Sequence, residues 1–140
     1  MDPSKKHLCL HILGFKNSNV SFAEYRDYMI NVHSPLVGGL MAKYGIIHWS
    51  MSHPDEQSPD LFDKIRDGLF ANMAPFDVVV TVVMPDIHTW VRFKSDPFFK
   101  QDVGPDHARF ADTRRSQMML GWYTPLLKDG KLLIDSPLAT

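Results

Sequence analysis

One cysteine, Cys9, is all that the 140 residues contain, so the chain forms no internal disulfide and supplies no thiolate zinc cluster by itself. Its side chain reads as a small hydrophobe. An excess of charge of one sign is also missing: Lys and Arg number 15 against 16 Asp and Glu, a formal net charge of -1. Phosphate backbones are held by basic surfaces, so nucleic acid is not the expected partner. Nor is there a long hydrophobic run. The most apolar stretches, "FDVVVTVVM" and "HLCLHILGF", have the length of strands and fall short of a bilayer, and "MDPSKKHLC" lacks the apolar region that follows the lysines of a signal peptide. The expectation is a soluble, cytoplasmic protein without a membrane span. No repeat, low-complexity tract or long linker divides the sequence, and its length suits one domain over residues 1–140.

Four strand candidates stand out, at residues 7–14, 46–53, 76–84 and 116–124. In the first, Leu8, Leu10 and Ile12 alternate with His7, Cys9, His11 and Leu13; the third is apolar on both faces and belongs in the centre of a sheet. Between the first two strands, Ser21 and Glu24 have the spacing of a capping box. Phe22, Tyr25, Met29 and Val32 follow at helical spacing, which turns His33 inward. Pro35 opens a second helix through Leu36, Leu40 and Met41, ended by Gly45. After the third strand, Asp86 caps a helix with Ile87, Trp90 and Val91 on one face. Asp96 and Pro97 start another, and Leu61, Ile65 and Leu69 suggest a helix over 60–72.

The order strand, helices, strand, strand, helices, strand is that of an α+β, ferredoxin-like fold: a four-stranded antiparallel sheet with helices on one face. The other face, around Val79 and Val83, is then left bare. A homodimer packing two such sheets together would cover it.

Seven histidines are many for this length, yet none of them sits in a metal-ligand pattern. There is no HxxxH on a helix, and the odd offset between His48 and His53 puts them on opposite faces of the second strand. His33, in "YMINVHSPLV", is either a packed helix histidine satisfied by a carbonyl or a proton carrier facing a cavity. "GPDHARFADTRRS" sets Asp106 beside His107 and brings Arg114 to the mouth of the fourth strand, where a guanidinium offers a planar fork to a carboxylate or phenolate. Asp77, at the head of an apolar strand, must be at the rim or partnered. Nine Phe, eight Met, four Tyr and three Trp suffice for a core and for a cavity suited to a flat aromatic ligand.

With "FAEYRDYMINVHSPLV", "LMAKYGIIHWSMSH" and "DPFFKQDVGPDHARFADTRRSQMMLGW" in order, the chain resembles fungal EthD-domain proteins of the dimeric α+β barrel superfamily, among them atrochrysone carboxylic acid decarboxylase-type enzymes of polyketide pathways. The resemblance runs from Phe22 to Trp122. It implies a homodimer without metal or other cofactor, acting on an aromatic polyketide in a pocket between sheet and helices. The stretch "HPDEQSPDLFDKIRDGLF" departs from the acidic or amide residue that often follows the second-strand histidine in such proteins. On this resemblance His33 is the general acid/base and His107, oriented by Asp106, the second proton carrier. Tyr28, His48 or Arg114 would polarise a carbonyl or phenolic oxygen, and Trp90 would wall the substrate pocket. Decarboxylation is the leading expectation and cyclisation or dehydration the next, ahead of a cofactor-free or haem-dependent monooxygenase and a binding module for a hydrophobic intermediate.

Overall fold

The computed structural model describes residues 6–138, so the reading of the first five residues lies outside the described ones. Alternation places the strands where expected, β1 at His7–Gly14, β2 at His48–Ser52, β3 at Val78–Met84 and β4 at Gln117–Tyr123. They form one antiparallel sheet in the order β2-β3-β1-β4. Val78, Val80, Val82 and Met84 face the helices together with Leu8 and Leu10 and make the main core. Among the described residues no helix is long and apolar enough to cross a membrane.

Helix α1, Phe22–Tyr28, starts at the expected capping box, with Glu24 N–H donating to Ser21 Oγ at 3.1 Å and Ser21 N–H to Glu24 Oε1 at 3.2 Å. It does not end where the next helix begins. Met29–His33 is a π turn, and α2, Ser34–Lys43, continues directly from it. Pro35 is the cause: its ring has no N–H for the carbonyl of Asn31 and collides with it, so the turn widens and Ser34 N–H reaches back to Met29 O. The same device recurs at Phe99–Val103, where Pro105 follows and Gly104 N–H donates to Phe99 O.

The widening sets which side chains point inward. Four residues of an ideal α-helix overshoot a turn by about 40°. With a π turn in the path, every fourth residue from Tyr25 through Met29, His33 and Val37 to Met41 is buried. Val32, expected on that face, is 47% exposed, because the widened turn rotates it outward. Phe99, Val103, His107 and Ala111 form a matching ladder opposite.

Three further expectations are corrected. The helix expected over 60–72 is only α3, Ser58–Asp63, and Leu61, Ile65 and Leu69 are exposed, because no element packs on them. In α4, Ile87–Ser95, the buried face is Thr89 and Phe93 with Trp90 half-buried, while Ile87 and Val91 face out. On the open face of the sheet Val83 is fully buried within this chain, flanked across the ladder by Cys9 and His48, while Val79 is half-exposed together with Leu13, His11 and Thr81. The uncovered apolar surface is instead β4, where Met118, Leu120 and Trp122 on the helix side and Met119 on the open side are all more than half exposed.

Candidate active site

The two ladders enclose a cavity against the sheet, closed by Trp49, Met51 and Val80 on one side and by Trp90 and Phe93 on another. Its volume is about 140 Å³. An apolar cavity of that order takes up a single aromatic ring, so a polycyclic ligand must extend through the mouth. Among the described residues no lysine, arginine, aspartate or glutamate lines it. Its polar groups are His33, His107, Tyr25, Thr113 and Ser116, besides the indole N–H groups.

His33 and His107 meet edge to face with ring centroids 4.6 Å apart, both packed on Phe110. His33 Nδ1–H donates to Asp106 Oδ2 at 2.9 Å, and Tyr28 O–H donates to the other carboxylate oxygen at 2.6 Å. His107 Nδ1–H donates to the carbonyl of Gly104 at 3.0 Å. Each imidazole is thereby fixed as the tautomer whose Nε2 lone pair is unspent. The expectation that Asp106 orients His107 is corrected: at the end of a helical turn the carboxylate points across to α1, and His107 bonds back to its own turn.

Burial holds the His33 pKa below its ordinary value; the Asp106 hydrogen bond opposes the shift and the charge of His107 adds to it. For Asp106, burial pushes up, but the hydrogen bonds from Tyr28 and His33 and the charges of His33 and Arg109 outweigh it and leave a carboxylate. At neutral pH the pair is therefore a neutral imidazole clamped by an anion.

The fold brings His33, His107 and Trp90 to the cavity, with Asp106 behind His33 and Tyr28 behind Asp106. Tyr28 does not line the cavity, since its hydroxyl is spent on Asp106. His48 lies on the open sheet face and bonds Ser50 at 3.0 Å; the parity of β2 turns it away. Arg114 does not line the cavity; it is exposed in a shallow groove with Asn17 and Asp112 that adjoins it through Ala111 and Thr113. Asp77 is partnered, accepting from Lys16 N–H at 2.8 Å. Among the described residues no cluster of three or more His, Cys, Asp or Glu is arranged to hold a metal ion.

The sequence pattern of the EthD domain matches residues 17–114, a span that contains both π turns and both histidines. The chain belongs to the EthD family. It is 57% identical over 124 residues to the dehydratase ustZ of Ustilaginoidea virens, covering 89% of each chain. To the decarboxylase claH of Passalora fulva it is 38% identical over 128 residues, 91% of this chain and 83% of that one. EthD relatives thus carry the names of two lyase reactions. The fold is shared with a dimeric ferredoxin-like protein of unknown function from Bacteroides fragilis, at a TM-score of 0.51 and 13% identity over 84% of this chain and 95% of that one.

Proposed function

We propose that this EthD chain is a cofactor-independent lyase that decarboxylates an aromatic polyketide carboxylic acid, acting as a cytoplasmic homodimer. The observation that carries this reading is the His33–His107 pair, set in an apolar cavity that no lysine or arginine lines among the described residues. A carboxylate there has no guanidinium or ammonium to hold it in its ground state. When the bond from the α-carbon to the carboxylate breaks, its electron pair passes into the ketone as an enolate and carbon dioxide leaves. A β-keto acid supplies this electron sink itself, so no cofactor is required. The α-carbon then takes a proton from the imidazolium form of His107, while neutral His33 accepts or relays protons through its free Nε2.

A second reading is dehydration, favoured by the 57% identity to a protein named dehydratase. There one imidazole removes the proton α to a ketone and the other gives a proton to the departing hydroxyl, so two adjacent histidines suit it equally.

Homodimer formation is supported by the bare apolar surface of β4 and by the dimeric description of the Bacteroides fragilis protein. The test of function is to incubate the purified protein with an aromatic β-keto acid that carries a hydroxyl β to its ketone and to weigh the product. Loss of carbon dioxide supports the leading reading, and loss of water with the carboxyl kept supports the second. A product gaining oxygen, or tight binding without turnover, refutes both.

A further inference from the structure

The mechanism above needs a hydrogen-bond donor to a carbonyl oxygen, and the two histidines do not supply one. Their Nδ1–H groups are spent on Asp106 and Gly104, the Nε2 of neutral His33 only accepts, and the Nε2 proton that His107 carries as imidazolium goes to the α-carbon. Ser116 Oγ accepts from Phe15 N–H and gives its own proton to the Asp112 carbonyl. Thr113 is exposed, and Trp49 and Trp90 are half-exposed, so these side chains reach solvent.

Tyr25 differs from all of these. It is 1% exposed, lines the cavity two ladder steps before His33, and packs on the same Phe110 ring, centroids 6.1 Å apart. Among the described residues its hydroxyl has no hydrogen-bond partner, whereas Tyr28, one turn on, has given its own to Asp106. The oxygen is not sealed in the core either: the one fully buried side-chain polar atom without a partner among the described residues is His7 Nδ1, so the Tyr25 hydroxyl stays open to the cavity it lines and can donate there. The backbone makes room for this oxygen: a side chain at Gly14 would place its Cβ 3.1 Å from it. Burial, with the charge of Asp77 adding to it, pushes the phenol pKa far up, so it is a protonated donor at any working pH.

We propose that the Tyr25 hydroxyl is the substrate-binding donor that holds a carbonyl oxygen conjugated with the reacting carbon. As carbon dioxide leaves, negative charge builds on that oxygen and the hydrogen bond strengthens; the phenol keeps its proton and no bond to it breaks. This role rests on the lyase reading for its chemistry, but the binding subsite is testable apart from it.

The probes are acetophenone and α-methylstyrene, which differ only by oxygen in place of a methylene group. Each is titrated at mildly alkaline pH, following the indole resonances of Trp49 and Trp90. The parent protein should prefer the ketone by roughly two- to tenfold, the worth of one neutral hydrogen bond. Tyr25→Phe should abolish that preference while binding α-methylstyrene as the parent does, which also shows that the variant is folded. With substrate, Tyr25→Phe should lower kcat more than it changes KM. A ketone preference that survives in Tyr25→Phe, or is absent from the parent, overturns the role of Tyr25 and leaves the lyase reading standing. If neither probe binds the parent, the cavity is no ligand site and both readings fall.

Discussion

His33 and Asp106 stand 73 positions apart in the chain and meet at 2.9 Å, the imidazole donating to a carboxylate that Tyr28 grips from the other side. The contact joins the α1–α2 ladder to the segment before β4. It fixes the one buried histidine of the cavity in a single tautomer.

The clamp makes Asp106→Asn informative. Turnover should fall roughly tenfold or more, because a hydrogen bond to a charged partner is worth about 1.5–3 kcal/mol. The rate should rise with pH as neutral His33 forms, and since the carboxylate raises the His33 pKa against the effect of burial, its loss should move that limb to lower pH. A pH–rate profile of both proteins checks the sign.

His33→Asn or His33→Gln keeps a polar side chain of similar size and removes the titrating ring. The chain should still fold, with turnover reduced roughly 10²–10⁴-fold, as expected for a lost general acid/base. If the folded variant turns over within a few-fold of the parent, His33 is packing and the chemistry belongs to His107.

Stability should fall on acidification. Burial lowers the pKa of both His33 and His53, the latter aided by Arg26. Below the ordinary histidine value near 6.5 the unfolded chain takes up protons that the folded one refuses, so stability complete above that pH is lost as the pH drops towards the lowered values. Melting temperatures taken between about pH 7.5 and 5.5 should decline, and His53→Gln should flatten the slope.

Gly14→Ala should destabilise the fold by about 1–3 kcal/mol, since the new Cβ would sit 2.7 Å from Val78 Cγ1 in the closed core. Chemical denaturation measures this directly.

The homodimer should appear as a two-chain mass in sedimentation at micromolar concentration. Met119, 56% exposed on the open face of β4, is the position to break it. Met119→Asp should raise the dissociation constant roughly tenfold or more. A one-chain mass for the parent protein refutes the dimer.

The strands were legible because alternation, or a short apolar run as in β3, is a local property; each forms within two residues of the positions its pattern marks. The helix expected from Leu61, Ile65 and Leu69 failed because spacing shows that a face exists but not that anything packs against it. His33 could be read inward from its register, whereas Tyr25 read only as packing, since its importance emerges when every other donor in the cavity has been accounted for. His48 was drawn to the site by residue type and resemblance and Arg114 by its place at the mouth of a strand; strand pairing turns His48 to the open face, and loop geometry leaves Arg114 in the neighbouring groove. The paired π turns left a trace in the sequence, a proline two residues after each turn, but no repeat of residue identities accompanies it.

Those turns also restrict how the gene can drift. Most helices on a protein surface absorb a lost or gained residue by sliding their ends, but here Tyr25, Met29, His33, Val37 and Met41 are read as one file through a widened turn. Deleting one residue anywhere between Met29 and Pro35 would break the file at its centre and carry His33 away from Asp106, while substitution at exposed Ile30 or Asn31 would cost little. Lineages that keep the chemistry should therefore vary at the outward positions here, such as Ile30 and Asn31, and hardly at all in length.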